Sequence, residues 1–151
     1  MSQFYGNHAI SMDVKGRIAV PTRVRELLQD CCGGRIVLTA HTESRCLHVF
    51  PEDQWNEVLA KLEGAPTFNE RFRRIKLTLV GYATMLELDG NGRILIPGPL
   101  RDYGHLTKKL MLVGQGKSLE LWDEDDFTAY ITAPVDSGDE LPEGMQSLAL
   151  Y

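Results

Sequence analysis

The fold is decided by Asp13-Val14-Lys15-Gly16-Arg17-Ile18-Ala19-Val20-Pro21-Thr22-Arg23-Val24-Arg25, which returns as Asp89-Gly90-Asn91-Gly92-Arg93-Ile94-Leu95-Ile96-Pro97-Gly98-Pro99-Leu100-Arg101. Six of the thirteen positions are identical, and two more exchange one aliphatic side chain for another. Such self-similarity is typical of a chain that contains the same structural unit twice. We therefore interpret the sequence as an internal duplication.

The match continues downstream of these stretches. Arg35-Ile-Val-Leu38 corresponds to Lys109-Leu-Met-Leu112, and Leu47–Trp55 corresponds to Leu119–Phe127 after a gap. A unit of this length, about 50 residues, buries too little surface to be stable alone. We expect the two units to pair around a pseudo-twofold axis, each contributing strands to a shared core.

Each copy predicts the same order of elements. A short strand enters a turn rich in Asp, Asn and Gly, which tolerate left-handed backbone. A second strand ends at a proline, which fixes φ where a short helix can begin. Two strands and a helix with one apolar side complete the copy. The predicted strands are Ile10–Met12, Arg17–Val20, Arg35–Thr39 and Cys46–Phe50 in the first copy, and Leu86–Leu88, Arg93–Ile96, Lys109–Val113 and Ser118–Trp122 in the second.

Burial is predicted from the pattern of these segments. Arg35–Thr39 and Lys109–Val113 are nearly continuous apolar runs and should be buried strands, whereas Cys46–Phe50 and Ser118–Trp122 alternate as half-buried strands do. Asp123 should cap the last helix. The helix residues predicted to face inward are Trp55, Val58, Leu59 and Leu62 in the first copy, and Phe127, Tyr130 and Ile131 in the second.

The predicted organisation is a first module at residues 1–64, a connecting helix at 65–80, a second module at 81–131 and an acidic, flexible tail at 132–151. The connecting segment begins with the capping box Thr67-Phe-Asn-Glu70, and Phe68, Phe72, Ile75 and Leu79 follow at helical spacing. The tail is rich in Pro, Asp, Gly and Glu, a composition typical of disorder.

Charge is distributed unevenly along the chain. The net charge is −5, but residues 1–50 carry six basic and four acidic groups, whereas residues 101–151 carry four basic and ten acidic groups. Because salt screens distant charges, a basic surface in the first half remains able to meet phosphates. No apolar run is long enough to span a membrane, and the first residues lack a signal-peptide pattern, so we expect a cytoplasmic protein.

These residues resemble the MraZ family of bacterial regulators. The resemblance covers roughly residues 3–131 and includes Lys15–Arg23, Asp89–Pro97, Leu112–Gln115 and Glu120–Trp122. It implies an α+β fold of two tandem AbrB-like, swapped-hairpin modules. It also implies a transcriptional regulator that binds short repeated sites in the promoter of the cell-division and cell-wall gene cluster, assembles into rings and is associated with the nucleoid.

The first turn supplies the leading candidates for contact with double-stranded DNA. A guanidinium at Arg17 could fork onto guanine or clamp a phosphate, a role that the resemblance assigns to this motif. The alternative is that Asp13 and Arg17 pair only to fix the turn. Lys15 is a candidate phosphate contact, and its alternative is a solvated turn lysine.

Other basic residues carry open alternatives. Arg93 occupies the equivalent place in the less basic second turn, where DNA contact and structural pairing with Asp89 are both plausible. Arg23 flanks the first short helix and is a further DNA candidate, whereas Arg25, which recurs as Arg101, favours a structural role. The last group could be a solvated face or a surface for DNA or another subunit; it comprises Arg71, Arg73, Arg74 and Lys76.

Enzymatic, cofactor and metal functions lack a motif. The segment Gly114–Ser118 ends like a phosphate-binding loop but lacks its first glycine, and the turn at Asp89 has Arg and Ile where a calcium loop needs other residues. The residues Cys31, Cys32, Cys46, His41 and His48 lack zinc-site spacing. We predict no enzyme, no cofactor and no small-molecule substrate. The alternative function is an AbrB-like antitoxin or adaptor that works mainly by binding another protein.

Overall fold

The computed structural model describes residues 3–65, 68–135 and 140–148, in which short strands and helices alternate. The strands are β1 (Asn7–Ser11), β2 (Arg17–Ala19), β3 (Arg35–Ala40), β4 (Leu47–Pro51), β5 (Thr84–Glu87), β6 (Arg93–Leu95), β7 (Lys109–Gly114) and β8 (Leu119–Asp123). The helices are α1 (Thr22–Cys32), α2 (Glu52–Glu63), α3 (Glu70–Gly81), α4 (Gly98–Tyr103) and α5 (Glu124–Thr132), with a short 3-10 helix at Gln146–Leu148. The predicted α+β class is confirmed.

The two copies exchange strands. The main sheet has the order β1-β7-β8-β4-β3-β5, so that β1 of the first copy pairs with β7 of the second, and β5 of the second pairs with β3 of the first. Replacing each strand by its counterpart in the other copy gives the same order read from the opposite edge of the sheet. The pseudo-twofold axis therefore passes between β4 and β8, as the duplication predicted.

A separate two-stranded ribbon lies on the same axis. β2 and β6 pair antiparallel, with Ile18 opposite its own counterpart Ile94. Val20 donates to the carbonyl of Gly92, and Ile96 donates to that of Gly16, at 2.9 Å in both cases. The ribbon thus joins the two copies through the very segment that is duplicated.

The main core lies between one face of the large sheet and the ribbon. Ile18 and Ile94 are buried there with further matched pairs of the two copies, including Val24 with Leu100 and Leu47 with Leu119. Burial of apolar side chains from both copies in one cluster removes more area from water than either copy could alone. The two copies therefore share one hydrophobic core.

Two predicted strands are more buried than their pattern indicated. Four of the five residues of β4 and four of the five residues of β8 are buried, although alternation predicted half-buried strands. These strands lie at the centre of the sheet, and apolar clusters cover both faces. Their intervening polar residues, His48 and Glu120, are therefore partly buried instead of solvated.

The helices agree with the prediction in part. Val24 and Leu28 of α1 and Trp55 and Leu62 of α2 are buried, as expected. In α5, Asp123 caps the helix by accepting from the amide of Asp126, but Tyr130 and Ile131 are 62% and 63% exposed. The prediction that these two side chains face inward is wrong: α5 packs on β7 and β8 through Phe127, whereas Tyr130 contacts the Trp122 ring but stays largely exposed.

The connecting helix begins later than predicted. The helix α3 starts at Glu70, and Asn69 caps it by accepting from the amide of Phe72. Phe68 lies before the helix and is 98% exposed, so it does not join the apolar stripe. Thr67, the predicted start of the capping box, lies outside the described residues.

The C-terminal segment contributes nothing to the core where it is described. Residues 133–135 and 140–148 are exposed, and residues 136–139 and 149–151 of the predicted flexible tail lie outside the described residues. Across the part of the chain that the structure describes, no helix is both long and apolar enough to cross a membrane.

Candidate nucleic-acid interface

The first turn is locked by a single carboxylate. One oxygen of Asp13, Oδ1, accepts from the amides of Lys15 and Arg17 at 2.9 Å each, and Oδ2 accepts from Arg17 Nε at 2.8 Å. The amide of Gly16 donates to the Asp13 carbonyl with φ at +89°, a conformation that favours glycine. The predicted Asp13–Arg17 pair is therefore present, and it fixes the direction of the Arg17 side chain.

The second turn repeats this geometry less tightly. Asp89 Oδ1 accepts from the amides of Asn91 and Arg93 at 2.8 and 2.9 Å. The Arg93 Nε lies 3.7 Å from Asp89 Oδ2, beyond hydrogen-bond distance, and it has no hydrogen-bond partner among the described residues. The backbone of the motif is thus conserved between the copies, whereas the arginine contact differs.

Each turn is supported by an arginine of the other copy. Arg25 donates from Nη1 to the carbonyl of Asn91 at 3.0 Å, and a Cβ added to Gly92 would lie 2.4 Å from Arg25 Cδ. The guanidinium of Arg101 packs on Gly16 in the same way, at 2.9 Å from such a Cβ. The structural role predicted for Arg25 and Arg101 is confirmed.

The ribbon turns one side toward solvent. Ile18 and Ile94 are buried, so the residues that flank them in each strand project outward: Arg17 and Ala19 from β2, and Arg93 and Leu95 from β6. Both arginine side chains are 40% exposed. The contact of Arg17 with Asp13 is made through Nε, and the partly exposed side chain leaves the outer edge of the guanidinium available to a ligand.

The four predicted DNA-contacting residues do not all lie on one motif. Lys15 is exposed on the first turn beside Arg17, and Arg93 lies diagonally across the ribbon from Arg17. Arg23 is exposed in the first turn of α1, where the chain leaves the ribbon. The basic residues of α3 lie on another element, beyond the far face of the large sheet.

The carboxylates of both turns are stabilised in the ionised form. The amide of Arg17 is the largest cause that lowers the pKa of Asp13, and the Arg17 side chain adds to it against the opposing effect of burial. The amides of Arg93 and Asn91 lower the pKa of Asp89, and the charge of Arg17 in the other copy contributes as well. The two turns are therefore close enough for the charge of Arg17 in one to act on Asp89 in the other.

Stability should depend on these carboxylates at acid pH. A carboxyl group whose folded pKa is lowered stabilises the fold above its unfolded pKa, and the contribution is lost as pH falls through the folded pKa. When the pH falls from about 5 to 3, the melting temperature of the double variant Asp13→Asn, Asp89→Asn should therefore decrease less than that of the parent.

Thermal unfolding followed by circular dichroism across that pH range measures this effect. The matched control is Asp30→Asn with Asp125→Asn, which removes two exposed carboxylates away from the turns. An equally steep acid destabilisation in the double turn variant and in the control would contradict the carboxylate lock.

A second polar cluster lies on the far face of the sheet, and sequence spacing did not identify it. One donor atom from each of His41, His48 and Glu120 lies within 4.8 Å of the other two. His48 and Glu120 occupy matching positions of the two copies and are directly opposite each other in the β4–β8 pair. A symmetric pairing of the duplicated strands would have predicted this proximity.

Comparison with known proteins agrees with the duplicated architecture. A family model described as "MraZ protein, putative antitoxin-like" matches residues 3–78 and again residues 79–140. A protein of Saccharophagus degradans named transcriptional regulator MraZ is 57% identical over 147 residues, covering 97% of this chain and 99% of that protein. Proteins of the same name are 48% identical in Marinobacter nauticus (99% and 100% covered) and 42% identical in Coxiella burnetii (97% and 99% covered).

These matches extend along nearly the whole chain and divide it into two modules, in agreement with the predicted tandem AbrB-like fold. The relatives are named for regulation, and the prediction that the chain is not an enzyme is thereby confirmed. The chain belongs to the MraZ family of transcriptional regulators.

Proposed function

We propose that the chain binds double-stranded DNA sequence-specifically, through the outward side of the β2–β6 ribbon and its two turns. The observation that carries this proposal is the Asp13-locked Arg17, whose guanidinium is held at the edge of a solvent-exposed ribbon. The major groove of B-DNA admits a two-stranded ribbon of this kind. A side chain that is already oriented loses less conformational entropy when it binds.

The position of each basic residue on the ribbon or beside it indicates the contact with DNA that we assign to it. Arg17 reads a base edge or clamps a phosphate, and Arg93 makes the related contact from the second copy. Lys15, on the exposed turn, neutralises a phosphate, and Arg23 does so from the start of α1. Phosphate contacts fix the register of a protein on DNA, whereas base contacts specify the sequence.

The negative net charge of the chain does not prevent this surface from binding DNA. Lys15, Arg17 and Asp13 give the first turn a local charge of +1, whereas Asp89 and Arg93 cancel in the second. The sequence concentrates its acidic groups elsewhere, in Asp123–Asp126 and between positions 136 and 143. Because the screening length at cellular salt is about 8 Å, acidic groups farther than this from the ribbon repel a bound phosphate only weakly.

The proposed target is a set of short direct repeats in the promoter of the cell-division and cell-wall gene cluster, bound by a ring-like homo-oligomer in the cytoplasm at the nucleoid. Exposed apolar side chains support self-association, among them Leu77 of α3 and Tyr130 of α5, which are 56% and 62% exposed. When several subunits engage several repeats, the effective concentration of each further site multiplies the affinity.

A salt-series titration of a fluorescent promoter fragment tests the proposal. With four phosphates neutralised per subunit, the logarithm of the affinity should fall with the logarithm of salt at a slope of roughly −3.6 per engaged subunit. This corresponds to about a 100-fold loss per engaged subunit between 50 and 200 mM salt. A scrambled fragment of the same length and composition, which keeps the phosphates but not the repeats, should bind more weakly at every salt concentration.

Equal binding of the two fragments would contradict sequence-specific recognition. Absence of DNA affinity together with stoichiometric co-purification of one protein would instead favour the antitoxin or adaptor alternative. One titration of the purified protein distinguishes the two outcomes. Unspecific DNA binding raises the fluorescence anisotropy of both fragments equally, whereas a protein without DNA affinity leaves both values unchanged.

A further inference from the structure

The cluster of His41, His48 and Glu120 connects two apolar clusters on the far face of the large sheet. The His48 ring stacks on Phe50, which belongs to the cluster under α2 and α3. Glu120 Oε1 accepts from Trp122 Nε1 at 2.9 Å, and Trp122 belongs to the cluster under α5. The polar groups therefore lie at the junction of the two copies, where β4 pairs with β8.

We propose that His41, His48 and Glu120 bind one divalent transition-metal ion of the Zn²⁺ class. Two imidazole nitrogens and one carboxylate oxygen are a donor set that proteins use for zinc. The three donor atoms lie within 4.8 Å of one another, and the His41 Nε2 is already 3.2 Å from Glu120 Oε2. Tetrahedral zinc places its ligand atoms about 3.3 Å apart. The rings of His41 and His48 are stacked with their centroids 4.2 Å apart, so binding requires side-chain rotations that unstack the two rings.

One nitrogen of the cluster lacks a hydrogen-bond partner. The Nδ1 of His48 is buried and makes no hydrogen bond among the described residues. Buried polar atoms are nearly always paired, so an unpaired one requires an explanation such as an ion.

The carboxylate of Glu120 is partly buried, and it contacts His41 Nε2 and accepts a hydrogen bond from Trp122 Nε1. An ionised carboxylate satisfies the charge requirement of a divalent cation. A cleft of about 440 Å³, lined by His41, Glu120 and Trp122 among others, adjoins the cluster and leaves room for a water ligand and an entry path.

Metal binding changes one hydrogen bond that can be observed separately. The amide of Glu43 donates to Nδ1 of His41 at 3.0 Å, so that Nε2 carries the ring proton and donates to Glu120. Coordination through Nε2 moves that proton to Nδ1, and the Glu43 amide must then give up its bond. Loss of the hydrogen bond between the Glu43 amide and His41 Nδ1 therefore reports metal binding.

Cys46 lies beside the cluster but is not assigned as a ligand. Its Sγ is 3.9 Å from Glu120 Oε1, and burial raises the pKa of the thiol well above its usual range. A metal is bound by the thiolate form, which is disfavoured here. Cys46→Ala should therefore retain the metal, whereas a thiolate site would lose it.

Titration of the full-length protein with Zn²⁺, and with Co²⁺ as a spectroscopic probe, tests the site. The parent should bind one equivalent, with the Co²⁺ spectrum of nitrogen and oxygen ligands and a shift of the Glu43 amide resonance. Glu120→Gln and His41→Ala should weaken binding by more than the roughly 10- to 100-fold that loss of an outer-shell group causes. His8→Gln, which removes a partly buried histidine on β1, is the matched control and should bind as the parent does.

Thermal unfolding in the presence of a chelator establishes that each variant is folded before titration. Glu120→Gln keeps the shape of the side chain, so a loss of binding in a folded variant cannot be attributed to repacking. The proposal is overturned if the parent shows no saturable binding or if Glu120→Gln binds with parental affinity. It is also overturned if binding requires Cys46, Cys31 or Cys32 instead of the two histidines.

Discussion

Arg17→Ala is expected to lower the affinity for repeat-bearing promoter DNA by about 10- to 100-fold per engaged subunit, with the fold and the oligomer unchanged. A bidentate arginine contact to guanine contributes about 1–3 kcal/mol of discrimination. The loss is multiplied in an oligomer, because every subunit on the DNA loses the same contact. A mobility-shift titration on the promoter fragment measures the loss, and gel filtration measures the oligomer.

The salt dependence of this variant identifies which contact was removed. If Arg17 clamps a phosphate, the slope against the logarithm of salt should become shallower by about 0.9 per engaged subunit. If Arg17 reads a base, the slope should hardly change, and the preference for repeats over a scrambled fragment should fall. Arg17→Lys separates the cases further, because lysine keeps the charge but not the planar fork.

Arg74→Ala is the matched control for loss of one positive charge. Arg74 is 79% exposed on α3 and pairs with Glu70 at position i−4, away from the ribbon. Its removal should change affinity little. Parental affinity in Arg17→Ala would contradict the proposed mechanism, and so would equal losses in Arg17→Ala and Arg74→Ala, which would indicate a general effect of charge.

The duplication made much of the fold predictable. Because Asp13–Arg25 and Asp89–Arg101 repeat each other, equal elements and a pseudo-twofold arrangement followed from the sequence. Burial was harder to predict, because alternation in β4 and β8 has the same appearance whether the polar positions meet water or another side chain. The burial along α5 was also misjudged, since Tyr130 and Ile131 have the helical spacing of an apolar face but remain largely exposed.

The sequence predicted contacts within one turn but not contacts between residues that are far apart in the chain. The Asp13–Arg17 lock forms within one turn, and the types and spacing of its residues indicate it directly. The cluster of His41, His48 and Glu120 depends on the pairing of β4 with β8, which places His48 opposite Glu120 and brings together side chains as far apart in the sequence as His41 and Glu120, 79 positions. No spacing rule for metal ligands covers such a separation, so only the topology brings these groups together.

A fragment of residues 1–64 is expected to be unfolded at low micromolar concentration, with loss of the entire stability of about 5–15 kcal/mol that is typical of a domain. Of the six strand pairs among the described residues, only β3–β4 lies within the first copy. Its other four pairs, β1–β7, β2–β6, β3–β5 and β4–β8, all use the second copy. The fragment would therefore expose most of its backbone donors and much of the shared core to water.

Amide hydrogen exchange of the fragment measures this loss, with sedimentation to establish its association state. A fragment of residues 1–81 is the matched control, because it restores α3 and its contacts through Leu79 but none of the exchanged strands. Both fragments should lack protection in β3 and β4, and addition of the complementary fragment 65–151 to residues 1–64 should restore it. The pseudo-symmetry also allows two copies of the fragment to pair, so protection that appears only with dimerisation agrees with strand exchange. Native protection in a monomeric fragment of residues 1–64 would contradict it.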